Sequence, residues 1–363
     1  MGAVTVWVEQ NRIVKAENQG TIFRGFEIML EGRDPLDAPY LTQRICGICS
    51  SAYGVASCRA LEDIAGVQPP DNALLTRNII LGLDTIQNHL RQFYMLYLWD
   101  WVAPPPQNPF KGGYTRDYRL PAGLTARFRE RYWAGVDFAR QAHEALALLG
   151  GKIPHTHGIV PGGVSLVPTG DLARELDRRV KKIGDFLEHC YCPDTLLLQQ
   201  YYPEYMEIGK GSPNYISHGF FPEPRQGDVF PAGAALEGQK EELSLELIEE
   251  NQRYSWYRGN SGPPHGGKTV PDPDRPGAYS WTRAPRYRGL ACQGGPLARR
   301  IIRGDRPPGG NAVMDRMISR AEEALEISRL IGRWLEQIEP EKPGLLPFTL
   351  PPSGKGVGTT EAM

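Results

Sequence analysis

The sequence predicts an α+β protein in which helices dominate. Three observations carry that prediction: four long segments place apolar residues at three- and four-residue steps, one N-terminal segment alternates apolar and polar residues, and the stretch from Lys210 to Pro308 has almost no helical period. Neither an internal repeat nor a linker separates these segments. A single domain over residues 1–363 is therefore expected, a long-helix bundle with small peripheral strands.

Each element has its own signal. "AVTVWVEQNRIVKAE" alternates around "EQNR" and predicts a hairpin turning near Asn11. Asp71 and Asn72 are candidate caps for a helix from Ala73 to Trp101, in which Leu75, Ile79, Leu83, Ile86, Leu90, Tyr94 and Leu98 form one stripe; "APPPQNP" ends it. Thr125 to Leu149 is a second amphipathic helix closed by Gly150 and Gly151, and Asp171 to Cys190 is a third with its charges on one face. Pro193 and Asp194 begin a shorter one, "DTLLLQQYYPEY". Between Lys210 and Pro308 only short pieces such as "GDVF" and "ELSLELI" read as strands, and so long an irregular stretch is expected to wrap a core or meet a partner. Asn311 to Ile338 is helical again, through Met314, Ile318, Ala321, Leu325, Leu330 and Leu335. The tail "PPSGKGVGTTEAM" is turn chemistry.

Composition narrows the function. A chain of 363 residues, 40% hydrophobic and 23% charged, can bury a large core. Its 41 Lys and Arg nearly balance 42 Asp and Glu, so there is no net field to recruit nucleic acid or an anionic membrane. No segment approaches the ~20 apolar residues that span a bilayer, and "MGAVTVWVEQ" lacks the basic and apolar regions of an export signal. Six cysteines in a chain this long are too few for a disulfide scaffold and suit metal or redox use.

Two of them, Cys46 and Cys49, form a C-x-x-C turn in "TQRICGICSSAYGVASCRA". Such a turn aims two sulfurs at one point, and thiolates suit soft or borderline metals. Two thiolates are an incomplete shell. A zinc site would draw on His189, Cys190 and Cys192 in "EHCYCP", with Cys58 and Cys292 as single candidates. A thioredoxin-type pair fits worse, because no βαβ unit surrounds Cys46. Read alone, Cys58, Cys190, Cys192 and Cys292 are ordinary buried thiols, His155 and His157 are loop residues, His218 and His265 surface residues, and Asp100 a structural pairing or capping acid.

The segment "TIFRGFEIMLEGRDPLDAPYLTQRICGICSSAYGVAS" resembles the signature region of the large subunit of nickel-iron hydrogenases, where R-x-C-G-x-C follows R-G-x-E. "NHLRQFYMLYLWDWV", "HGIVPGGV" and "YSWTRAPRYRGLACQGGPLAR" resemble three further blocks of that family in the same order. The resemblance implies reversible oxidation of hydrogen at a centre of nickel and iron, the iron carrying diatomic ligands. It further implies Cys46 as a terminal thiolate on nickel, Cys49 as a thiolate bridging nickel and iron, and Glu27 as a magnesium ligand, a hard oxygen donor for a hard cation. Arg44 is a candidate for stabilising both thiolates and equally a packing residue. Because the chain carries no cluster motif of its own, the resemblance implies a small iron-sulfur subunit as electron-transfer partner. No catalytic base is assigned, and the compartment stays open between the periplasmic face of the cell envelope and the cytoplasm.

The chain departs from the family pattern at several places. The family's second cysteine pair, in D-P-C-x-x-C-x-x-H, and its opening R-I-E-G-H element have no counterpart, so the chain is expected to be incomplete at both ends and inactive alone. Tyr53 replaces a histidine, and Asn88 stands where the family has the aspartate of H-D-H, while His89 is kept. Two alternatives remain: a non-catalytic relative similar to the quinone-site subunit of respiratory complex I, and a zinc-binding structural domain using Cys46, Cys49 and the "HCYC" pair.

Overall fold

One helix is buried along nearly its whole length, chiefly between two other long helices. The computed structural model describes residues 2–105, 116–259, 261–264, 268–306 and 310–363; His265 lies outside them. The long helices are α1 (Ser50–Ala65), α2 (Asp71–Leu90), α3 (Ala122–Gly150), α4 (Gly170–Phe186), α5 (Cys192–Tyr201), α6 (Pro296–Arg303) and α7 (Val313–Gln337). From Asn72 to Leu90, every residue of α2 except Leu74 is buried. It packs against α3 and α7, and Gly82 permits the close approach to α7: a Cβ there would lie 2.9 Å from Ile327 Cγ2 and 3.0 Å from Ile331 Cδ1.

A helix buried on all sides must satisfy its polar residues internally. Arg77 pairs with Glu62 of α1 through two hydrogen bonds of 3.1 and 2.6 Å and also donates to the carbonyls of Val160 and Gly163. Asn78 Nδ2 donates to Pro222 O at 2.8 Å, and His89 Nε2 meets Glu323 of α7 at 3.2 Å. Asn72, expected as a cap, does something else: its amide donates to Glu339 O and Lys342 O and its carbonyl accepts from Glu339 N–H, stapling the chain beyond α7. The residue before the helix is Pro70, with no side-chain cap.

The α2 helix widens into a π-helical run, Arg91–Tyr97, before a last α-turn at Leu98–Trp101; a second π-helical run, Leu187–Tyr191, joins α4 to α5. The two runs meet. Phe93 and Tyr191 have ring centroids 5.0 Å apart, and Tyr94 donates to Asp194 Oδ2 at 2.9 Å. Wider turns shift side-chain phase by about one residue, which lets Phe93, Tyr94 and Tyr191 all face inward.

The N-terminal hairpin is present: β1 (Gly2–Glu9) pairs antiparallel with β2 (Arg12–Gly20). Gln10 and Asn11 both take left-handed backbone angles, the requirement of a two-residue hairpin turn. A register shift after Trp7 leaves Val14 as the extra residue. Most of the hairpin's side chains are exposed.

The stretch after Lys210 holds more structure than its composition suggests. Strands β3 (Tyr215–Glu223), β4 (Gly227–Leu236) and β5 (Gln239–Glu241) form an antiparallel sheet, and α6 covers it through Leu297, Ala298, Ile301 and Ile302. "GDVF" begins β4 as expected. "ELSLELI" contains a 3₁₀ turn at Leu245–Leu247, and the strand β6 (Ile248–Asn251) starts at its last residue and pairs with β7 (Ala284–Tyr287). The tail beyond Lys355 runs back along α1: Val357 N–H donates to Asp63 Oδ2 at 2.9 Å, and Arg59 donates to Thr359 O at 2.5 Å.

Candidate metal centre

The cysteine turn sits where three pieces of chain meet. A short helix, Ala38–Thr42, and a 3₁₀ turn, Gln43–Ile45, deliver Cys46 in extended geometry, and Cys49 occupies the N-cap position of α1. Gln43 anchors the approach, its buried amide donating to Pro39 O and Thr156 O. Arg24, from the "RGFE" segment, donates to the carbonyls of Arg44 and Ile45 at 2.6 and 2.9 Å. That bond carries the segment containing Glu27 to the cysteine turn.

Within the turn, the N–H groups of Ile48 and Cys49 both donate to Cys46 Sγ at 3.3 Å. Two donors on one sulfur fix its place in the turn. Both cysteines are half-buried and unpaired as disulfides. Burial pushes the Cys49 thiol up to about 12, and the adjacent Cys46 sulfur adds to the shift. Metal-free Cys49 is thus held as a thiol that a cation must deprotonate to bind.

Around the pair the surroundings are mixed. Tyr53 is half-buried on the first turn of α1, its hydroxyl pKa raised chiefly by burial and secondarily by the two cysteines. Arg44 is exposed. His155 lies in the loop before the Gly162–Gly163 turn; its N–H donates to Ser50 Oγ at 3.0 Å, and its Nδ1 is buried without a partner. Asn88 Nδ2 reaches from α2 to Ile48 O at 2.8 Å.

The other sequence candidates disperse. Glu27 is exposed, in a short helix Phe26–Leu30, and lines a cavity of about 410 Å³ with Phe23, Arg24, Phe26, Ile45 and Tyr257. Cys190 belongs to the π-helical run before α5, and Cys192 Sγ–H donates to Ala321 O at 3.4 Å. Among the described residues, no three His, Cys, Asp or Glu side chains converge as a metal shell. The four-ligand zinc reading therefore has no geometry here. Cys58 is buried as expected, but Cys190, Cys192 and Cys292 are only half-buried. His218 is likewise no surface residue; it is half-buried in β3, its N–H donating to Glu361 Oε1 at 2.7 Å. Asp100 pairs with Arg116.

The donor chemistry of Cys46 and Cys49 suits a soft or borderline metal, as two sulfurs of one incomplete shell. Glu27 fits a hard cation as a single carboxylate, the number from which magnesium is commonly held when water fills the other positions.

Sequence reasoning missed a buried ionic cluster that fastens the tail. Arg299 of α6 donates to both oxygens of Glu323 at 2.8 and 2.7 Å, to Glu361 Oε2 at 2.6 Å and to Ala362 O at 3.0 Å, and His89 Nε2 shares Glu323 Oε1 with it. Arg299, Glu323 and His89 are fully buried. Burial alone would raise the Glu323 pKa, but the Arg299 charge and the His89 hydrogen bond bring it down to about 2.

The family model described as nickel-dependent hydrogenase matches residues 24–108 and 103–338 of the chain. The periplasmic [NiFeSe] hydrogenase large subunit of Desulfomicrobium baculatum is 32% identical over an alignment covering 99% of this chain and 77% of that one. The hydrogenase-2 large chain of Escherichia coli (strain K12) is 30% identical, over 82% of this chain and 64% of its own length. Among solved structures, the Ni-Fe-Se hydrogenase of D. vulgaris Hildenborough in its as-isolated oxidized state superposes with a TM-score of 0.95 at 33% identity, covering 99% of this chain and 81% of that one.

Proposed function

The chain belongs to the nickel-dependent hydrogenase family, as a large-subunit member, and on that premise we propose that Cys46 and Cys49 are its sulfur ligands to a nickel-iron centre that oxidises hydrogen reversibly to protons and electrons. We assign this to a single large-subunit domain over residues 1–363. The observation that carries the reading is the turn itself: two adjacent sulfurs, one of them accepting two backbone N–H groups, at the N-terminus of α1. When bound, the nickel and the iron with its diatomic ligands supply the redox chemistry of splitting hydrogen.

The chain's own residues hold and shape that place. The Ile48 and Cys49 N–H groups fix the position of the Cys46 sulfur at the turn. Tyr53 and Asn88, where the family has a histidine and an aspartate, leave hydrogen-bonding groups without carboxylate or imidazole titration at those two positions. Glu27 is our proposed magnesium ligand, supplying one carboxylate beside the Arg24 tether.

Electrons must leave through a partner, and we propose a small iron-sulfur subunit. A two-stranded hairpin is marginal by itself in water. Here Val4, Val8 and Ile13, which share one face of it, are 68%, 58% and 67% exposed. We propose that the partner covers this face. No helix among the described residues is long and apolar enough to cross a membrane. The periplasmic side of the cell envelope, named for the Desulfomicrobium baculatum relative, is our proposed location.

The test is hydrogen-dependent dye reduction by the complex purified through a tag on this chain. In a complex that also supplies the family's second cysteine pair, wild type is expected to reduce the dye, and Cys46→Ser or Cys49→Ser to lower the rate by more than the roughly 10–100-fold that loss of an outer-shell partner costs. Equal rates in wild type and both variants would overturn the assignment. The complex I-like alternative predicts no hydrogen-dependent reduction at all.

A further inference from the structure

One buried acid beside the cysteine turn has no part in the proposal above. Asp84 of α2 is 5% exposed. Its Oδ1 accepts from Gln87 Nε2 at 3.1 Å, and Asn88 Nδ2 leans on the same oxygen at 3.4 Å. Asp84 and Asn88 stand four residues apart and so share one face of the helix.

That Asn88 amide is the only bridge we find, among the described residues, from α2 to the peptide between the two cysteines. It donates at 2.8 Å to Asp84 O and at 2.8 Å to Ile48 O. With acceptors on every side, the amide has one orientation, nitrogen toward the turn. From Ile48 the path continues to the sulfur, since the Ile48 and Cys49 N–H groups both end on Cys46 Sγ.

A second contact comes from α1. That helix begins with Cys49 at its N-cap and has no side-chain cap of its own, so its first N–H groups need an outside acceptor. Burial pushes the Asp84 carboxyl up to about 6, and Ser51 on the first turn of α1 opposes that shift by favouring the charged form. An anion at a helix N-terminus is favourable. The carboxylate therefore acts on the residue pair after Cys49 while Asn88 acts on the residue before it.

We infer that Asp84 and Asn88 form a clamp on the Cys46–Cys49 turn, Asp84 as the anchoring carboxylate and Asn88 as the arm that reaches Ile48. Both are positioning residues. Where the family resemblance places an aspartate, this chain has Asn88, and the acid sits one helical turn earlier. The importance of the turn rests on the metal reading, but the clamp is a property of the polypeptide and can be tested without metal.

The experiment is amide hydrogen exchange on the purified complex after metal removal, in wild type, Asp84→Leu, Asn88→Ala and the double variant. Each single variant is expected to speed exchange at Ile48, Cys49 and Ser51 about fivefold to tenfold, the factor carried by one net hydrogen bond. Exchange in α3 and α7 should stay as in wild type. At Ile48 the double variant should be no faster than the more affected single one, because Asn88 is the arm through which both residues reach that peptide. In the metal-loaded complex, both single variants should shift the infrared bands of the iron's diatomic ligands. Unchanged exchange at the turn, equal acceleration in α3 and α7, or additive effects at Ile48 would each overturn the clamp. Absence of nickel and iron from wild type would instead sink the metal reading and leave the exchange result standing.

Discussion

The N–H of Cys49 donates to the sulfur of Cys46 at 3.3 Å, so the second cysteine of the turn is anchored on the first. This contact converts a sequence spacing into a geometry. It fixes two soft donors side by side, half-buried, at the head of α1, and the remaining elements can be ranked by how they hold that head in place.

The pairing of Arg77 with Glu62 ties α1 to α2 and to the loop at Gly162, whose N–H donates to Glu62 Oε1 at 2.8 Å. Both side chains are almost fully buried. Glu62→Ala leaves a buried guanidinium without its acid and should cost about 3–5 kcal/mol. Denaturant unfolding of the variant checks this; a loss under about 1 kcal/mol would show that the pair is dispensable.

Gly82 is the contact point of α2 with α7. Gly82→Ala places a methyl 2.9 Å from Ile327 and should destabilise by about 1–3 kcal/mol through overpacking. Adding Ile331→Val, which removes the Cδ1 that would lie 3.0 Å from the new methyl, should recover part of the loss. A thermal melt of the pair of variants reads both effects.

Arg299→Met should loosen the tail from the body, because Glu361 Oε2 and the Ala362 carbonyl both accept from that guanidinium, leaving Glu361 only the His218 N–H. Limited trypsin digestion is the measurement: cleavage after Lys355 should become fast in the variant while cleavage within α7 stays slow. A tail equally protected in both proteins would mean that the contacts with α1 suffice.

Two buried acids give opposite pH dependences. Glu323 is held near 2, below its unfolded value, so its stabilisation is present above about pH 4.5 and lost as pH falls toward 2. Asp194 is pushed up to about 6 by burial, with Arg131 and Tyr94 opposing, so its favourable contribution is complete below about pH 4 and lost as pH rises through 6. Asp194→Asn should therefore flatten the stability profile between pH 4 and 6, by at most about 3 kcal/mol. Urea unfolding at stepped pH compares the two proteins, and an unchanged slope in that window would contradict the assignment.

The long helices were legible because a 3.6-residue period is a local property that one buried face writes into the sequence. The helix Ser50–Ala65 was not, since Ser, Ala, Gly and Cys draw no apolar stripe, although most of its inner side is buried. Strand Tyr215–Glu223 was hidden by Gly219 and Phe221, whose positive φ angles break the alternation. Cys46 and Cys49 could be read from spacing because only two residues separate them. The partners of Asp84 and Arg299 could not: one depends on how α2 meets α1, and the other joins residues 62 positions apart. Three half-buried cysteines misread as core thiols show the same limit, because exposure is set by the neighbouring helices.

The central claim is that Cys46 and Cys49 ligate nickel, and nickel-edge X-ray absorption on the purified complex addresses it most directly. The account predicts stoichiometric nickel with a sulfur shell in wild type and loss of sulfur scattering, or of nickel itself, in Cys46→Ser and Cys49→Ser. Nickel bound with an unchanged sulfur shell in both variants would contradict it.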